Sequence, residues 1–150
     1  MINIFFKKLN PNAVLPTKAY AGDAAFDLYS DQEQTIEPGE TKLISTGLQL
    51  ANFTQTEGVS SFLKIEGRSG LACKGIFPVG GIVDTQSYRG EIKCIMHNSS
   101  KGVYTFEKGE RVAQAIFYQI MNLPSQITIE ETDTVIETQR GTGGFGSSGR

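Results

Sequence analysis

Tryptophan is absent, histidine occurs once (His97) and cysteine only twice (Cys73 and Cys94) in the 150 residues. A tetrahedral zinc site needs three or four Cys, His or carboxylate ligands, usually closely spaced, and no such grouping exists here. The two cysteines lie 21 residues apart, which fits no redox motif, and they read as small buried hydrophobes in a reducing compartment. His97, at the end of a strand-like run, reads as structural. The glycine-rich loop of P-loop nucleotide binders, which ends in Lys and Ser or Thr, is missing. No apolar stretch approaches the ~18 residues of a membrane span. The first residues, MINIFFKKLN, lack the apolar centre of a signal peptide, so a cytoplasmic protein without membrane contact is expected. An excess of one charge is also lacking: 14 Lys and Arg oppose 16 Asp and Glu, for a net charge of −2. A general grip on nucleic acid needs a basic surface, and that class is excluded.

What is present suits one ordinary domain, with 39% hydrophobic and 20% charged residues. A chain of this length buries roughly 68–70% of its unfolded surface. Its dominant period is two. Thr41–Leu50, Ser60–Ile65, Gly90–Met96, Gly102–Phe106 and Gln126–Glu130 alternate or are rich in β-branched and aromatic residues, as strands are. Arg111–Met121 is apolar enough for a helix, but its Ile, Phe and Tyr content and its flanking turn residues favour a buried strand. Ser69–Lys74 alone resembles a helix, of one or two turns. Glu37-Pro-Gly-Glu40 fits a type II turn, with glycine supplying the positive φ. Glu107-Lys-Gly-Glu110 has the same outline, a similarity too loose to count as a repeat. Eight or more short strands with glycine-rich turns predict an all-β fold, a jelly roll foremost, over residues 1–139. Residues 140–150, rich in Gly and Ser, cannot build a core and predict a flexible arm. An inert linker needs neither the Arg140 at its hinge nor the Phe145 within it.

Glycine, 17 of 150 or about 11% against a usual ~7%, gathers in polar clusters between the strands. In Gly22–Ser30, Asp27 stands between Phe26 and Leu28 and so points away from them, either to solvent or to a site. Gly67-Arg-Ser-Gly-Leu-Ala72 offers backbone N–H groups, a hydroxyl and a guanidinium together, which suits an anion as well as an ordinary capped turn. In Val79–Glu91, Gly80-Gly81 permits a tight hairpin whose backbone can approach a flat ligand. Asp84 there could accept a proton from water, or be a surface turn acid. In Lys108–Gln114, Arg111 and Gln114 are an odd number apart and belong on opposite strand faces unless a bulge intervenes.

With the arm, these clusters resemble in order and spacing the five motifs of the trimeric deoxyuridine triphosphate nucleotidohydrolases, the dUTPases, over residues 21–149. GRSGLA and RGTGGFGSSG are the most specific of them, and GDAAFDLYS is the loosest. The resemblance implies a jelly-roll homotrimer of the β-clip kind that cleaves dUTP to dUMP and pyrophosphate with Mg2+, each site assembled from several subunits. By the same likeness Arg68, Ser69 and Gly70 would hold phosphates, Asp84 would activate the attacking water, and Tyr88 would pack under the deoxyribose. Backbone around Gly81, Ile82 and Val83, with a group near Lys93, would read the uracil edge. Gln114 would touch the α-phosphate region, and Asp27 would meet the Mg2+ shell through water. From the arm, Arg140, Gly146, Ser147 and Ser148 would grip the γ-phosphate while Phe145 stacks over the uracil.

The chain departs from the family pattern in four places. Asp84 and Tyr88 are four residues apart where three is usual. A bulge could absorb the extra residue, or the hairpin could shift and put Thr85 at the water instead. The stretch before Asp84 is short. Ala25-Phe26 replaces a common Gly-Tyr pair, and no large insertion of the kind some viral members carry is present. Two other readings remain open: a dCTP deaminase-like enzyme of the same fold, which lacks such an arm, and a dUTP-binding regulatory protein.

Overall fold

Alternation carries directly into architecture. The computed structural model describes residues 3–53, 59–120, 129–136 and 138. In order they form β1 (Ile4–Lys8), β2 (Ala25–Tyr29), β3 (Gln34–Ile36), β4 (Thr41–Phe53) and β5 (Ser60–Glu66). The short helix α1 (Ser69–Ala72) follows, then β6 (Ile76–Pro78), β7 (Ile82–Asp84), β8 (Glu91–Asn98), β9 (Tyr104–Phe106) and β10 (Arg111–Ile120). Every second residue of β8 (Ile92, Cys94, Met96 and Asn98) is buried, as a strand with one face on the core requires. The expected strand ending at Glu130 falls largely outside the described residues, and Ile129 and Glu130 are exposed without strand structure.

Two antiparallel four-stranded sheets, ordered β1-β4-β8-β6 and β2-β10-β5-β7, face each other, and β3 pairs with β9 as a separate ribbon. This is the jelly roll expected from the pattern. Ile44, Leu50, Ile92 and Met96 of one sheet and Leu28, Leu63, Ile65 and Val112 of the other form one apolar cluster. Each such side chain contributes roughly 1.5–3 kcal/mol by leaving water.

The two Glu-x-Gly-Glu turns are true counterparts. Gly39 and Gly109 have φ of 77° and 80°. In each turn the final glutamate's N–H bonds back to the first glutamate's carbonyl at 3.0 Å. In each, its carboxylate also accepts the first residue's N–H, at 2.8 Å for Glu40 and 2.9 Å for Glu110. Since β3 and β9, the strands entering these turns, pair with each other, the similarity is a paired structural unit rather than a coincidence.

The minor residues divide. Cys94 is buried, and desolvation pushes its thiol up to about 12, leaving it inert. Cys73 is exposed at the end of α1, against the expectation of burial, because this one-turn helix buries only Leu71. His97 is structural as expected: Nδ1 meets the Thr41 hydroxyl at 2.9 Å and the ring leans on Phe77.

Candidate active site

Asp27 lies in β2 beside the buried Leu28, and only 13% of its side chain is exposed. Two guanidiniums reach its carboxylate: Arg68 Nε donates to Oδ1 at 3.0 Å, and Arg111 Nη1 to Oδ2 at 3.4 Å. Arg111 gets there through a bulge. The register of β10 against β2 shifts between Arg111 and Ala113, so Val112 and Ala113 are both buried in succession. That irregularity reverses parity, and Arg111 and Gln114 come to line the same cleft. Gln114 Nε2 then donates to the Gly67 carbonyl at 2.7 Å, pinning the loop that carries Arg68.

That loop enters α1 with Arg68 extended, at φ −95° and ψ 131°, and no side chain caps the helix. The first N–H groups of a helix have no intrahelical acceptor, so Ser69 and Gly70 can offer theirs as donors. Nothing lies within 4 Å of where a Gly70 Cβ would stand. Asp27, Arg68, Ser69, Gly70, Arg111 and Gln114 thus border a cleft of about 410 Å³ with the donors an anion requires.

A second cleft, of about 490 Å³, is bordered by Gly81, Ile82, Val83, Tyr88, Glu91 and Lys93. Gly81 adopts φ 144°, and a Cβ there would stand 2.6 Å from the Ile65 Cβ. Only glycine lets the hairpin backbone approach this closely, with its carbonyl accepting the Ile65 N–H at 2.8 Å. Burial raises the proton affinity of Glu91. Hydrogen bonds from the Ser45 hydroxyl and the Gly47 N–H (3.0 Å), with Lys93 Nζ at 3.3 Å, outweigh that and hold its carboxyl below the ordinary value.

Between the clefts' contributing strands lies the departure from the usual spacing. β7 pairs with β5 through Lys64↔Ile82, Leu63↔Val83 and Phe62↔Asp84. Val83 is buried while Ile82 and Asp84 are exposed, and Thr85, next in alternation, is fully buried. The Thr85 hydroxyl donates to the Ser61 carbonyl at 2.7 Å and meets the Ser61 hydroxyl at 2.8 Å. Asp84 therefore keeps the outward face, and Thr85 cannot replace it. The Tyr88 N–H bonds to the Asp84 carbonyl at 3.0 Å, closing a five-residue turn that takes up the extra residue.

Arg140, Phe145, Gly146, Ser147 and Ser148 lie outside the described residues. Sequence reasoning placed Arg111 with Gln114 only on condition of a bulge and gave it no role, and it gave Glu91 none. The buried pair Val112-Ala113 between two polar residues was the available sign of the bulge; nothing marked Glu91. A third hollow, of about 520 Å³, includes Phe5, Phe6, Leu15, Phe26 and Leu63, and no titratable group borders it. Among the described residues no three His, Cys, Asp or Glu side chains cluster as metal ligands.

This arrangement has close counterparts. The chain is 42% identical to the deoxyuridine 5'-triphosphate nucleotidohydrolase of Clostridioides difficile over 99% of each chain. It is 36% identical to the mouse (Mus musculus) protein of the same name, over 97% of this chain and 84% of that one. A structure of the Staphylococcus bacteriophage 80alpha dUTPase with dUPNHPP matches with a TM-score of 0.76 at 27% identity, covering 99% of each chain. The dUTPase family model matches residues 11–149. Motif order, two-sheet fold and sequence agree over nearly the whole length, and the chain belongs to the dUTPase family.

Proposed function

We propose that this chain hydrolyses dUTP to dUMP and pyrophosphate, with Asp84 as the base and the Asp27–Arg68–Arg111 cleft as the polyphosphate site. A water held by the Asp84 carboxylate gives up a proton to it while its oxygen bonds to the α-phosphorus. The bond from that phosphorus to the bridging oxygen breaks, and pyrophosphate leaves. Phosphoryl transfer asks chiefly for positioning and charge stabilisation, so a chain without a spare His or Cys nucleophile is adequate. Arg68, the N–H groups of Ser69 and Gly70, and Gln114 bind and orient the phosphates, while Tyr88 packs against the deoxyribose. Backbone groups at Gly81–Val83 and near Lys93 pair with the uracil edge, because a mismatched base would leave buried polar groups unpaired. From the arm, Arg140, Gly146, Ser147 and Ser148 hold the γ-phosphate and Phe145 covers the base, excluding water.

The observation that carries this reading is the parity of β7, with Asp84 outward and Thr85 buried on Ser61. The donor set suits Mg2+ as cofactor. Asp23 and Asp27 border the phosphate cleft without a cage of protein ligands, and Mg2+ takes one or two carboxylates plus substrate phosphates and water. Asp27 would hold it through water, and the ion, when bound, would offset phosphate charge. By the family resemblance the protein is read as a cytoplasmic homotrimer whose sites are completed between subunits; within one chain the two clefts share no bordering residue.

The test is full-length protein with dUTP and Mg2+, and separately with dCTP. Equal yields of dUMP and pyrophosphate from dUTP are expected. Ammonia release from dCTP would make it a deaminase. Tight dUTP binding without turnover would make it a nucleotide-controlled regulator.

A further inference from the structure

The turn between Asp84 and Tyr88 is one residue longer than the family's usual spacing, yet it is bonded from within and from both sides. At its start Thr85 is anchored to β5 by the paired hydroxyls of Thr85 and Ser61 and by the Ser61 carbonyl, all in the buried interior. Across it, a single Arg89 nitrogen, Nη1, donates to the Thr85 carbonyl at 2.9 Å and to the Tyr88 carbonyl at 2.8 Å. The Arg89 carbonyl in turn accepts the side-chain amide of Gln49 in β4. At the far end the Tyr88 ring folds over Gly90, where a Cβ would stand 2.5 Å from its hydroxyl oxygen. That hydroxyl donates to the Glu91 carbonyl at 2.9 Å.

From this geometry we infer that Arg89 and Thr85 are positioning residues that fix the Asp84–Tyr88 turn, and that through Tyr88 they set the preference for deoxyribose over ribose. The inference rests on the hydrolase reading above. A longer turn has more conformations, and unclamped it would let the Tyr88 ring withdraw from the space that a 2′-hydroxyl would need. Two charge-assisted hydrogen bonds across the turn remove that freedom where Gly90 leaves the ring room to fold. Arg89 itself borders neither cleft, so its effect is transmitted through Tyr88, whose carbonyl it holds, rather than direct.

The experiment compares kcat and KM for dUTP and UTP in the full-length wild type and in Arg89→Ala, Thr85→Val and Thr85→Ser. Arg89→Ala, at an exposed position, should fold normally and lower the dUTP-to-UTP ratio of kcat/KM about tenfold. Thr85→Val should lower the same ratio, and Thr85→Ser, which restores the hydroxyl, should recover it. Wild-type turnover with an unchanged ratio in Arg89→Ala, or a Thr85→Ser variant no better than Thr85→Val, would overturn the inference and leave the hydrolase reading intact. A wild type that fails to hydrolyse dUTP would overturn both.

Discussion

The cleft around Asp27 is held by charge, with Arg68 at 3.0 Å and Arg111 at 3.4 Å from one carboxylate. The cleft beside Tyr88 is held by backbone: Gly81 pressed on Ile65, a five-residue turn, and a hairpin tied to β4 through Glu91. Under the proposed function, the contrast matches the part of the nucleotide each cleft would take. A polyphosphate is a flexible, highly charged chain and is caught by forked donors that need not be close-fitting. A base is flat and nearly neutral, so discrimination must come from close contact and fixed backbone donors and acceptors. Loss of charge should therefore damage one cleft, and loss of shape the other.

The largest effect should come from the group that neither cleft's binding needs. Asp84→Asn should lower kcat on dUTP by about 10²–10⁴-fold, the usual contribution of a general base. Affinity for a non-hydrolysable dUTP analogue should stay within about tenfold, or about 1.4 kcal/mol. Single-turnover kinetics and titration calorimetry on the same preparation read both, and near-normal kcat would reassign the base.

Next comes shape. Gly81→Ala places a methyl 2.6 Å from Ile65 at φ 144°, where backbone strain and overpacking together should lower stability by about 2–4 kcal/mol. The matching change in the cleft around Asp27, Gly70→Ala, meets open space and should alter stability by less than about 1 kcal/mol. Urea unfolding of the two variants tests the contrast directly; equal losses would erase it.

Charge follows. Arg68→Ala should weaken binding of the dUTP analogue about 10–150-fold, the ~1.5–3 kcal/mol typical of hydrogen bonds to a charged group. Deoxyuridine, which has no phosphate, should bind as it does to the wild type. A parallel loss for both ligands would show that Arg68 shapes the whole site.

The smallest effect concerns pH. The folded Glu91 carboxyl titrates below its ordinary 4.5, so its ionised form stabilises the fold above that value. This contribution is lost as pH falls through the lower, folded value. The stability gap between wild type and Glu91→Gln should therefore be widest near neutrality and narrow below pH 4.5. Urea midpoints across that range would show it; parallel curves would mean that Glu91 carries no such linkage.

Much of this was legible in the chain because it rests on local rules. The period of two placed β4, β5 and β8, side-chain type and flanking turns placed β10, and Gly39 takes the positive φ that its turn type demands. The loop at Gly67–Ala72 showed its stock of N–H groups, a hydroxyl and a guanidinium in the sequence, a set that suits an anion as well as a capped turn. What stayed hidden depends on partners distant in sequence. Arg111 shares a face with Gln114 only because β10 slips against β2. Glu91 acquires its role from Ser45 and Gly47, in another strand. Whether Asp84 or Thr85 faced outward could not be decided from spacing, since it hangs on the register of β7 against β5. Cys73 misled because a one-turn helix has too little interior to bury it.

The surplus residue after Asp84 lies beyond the last rung of β7, in a loop closed by its own bond rather than by a ladder. Lengthening the chain at that point leaves every rung in phase. The same addition two positions earlier would have swapped the destinations of an acid and a valine, sending the acid inward. The loop is thus a seam at which descent can add or drop a residue without inverting what the strand presents.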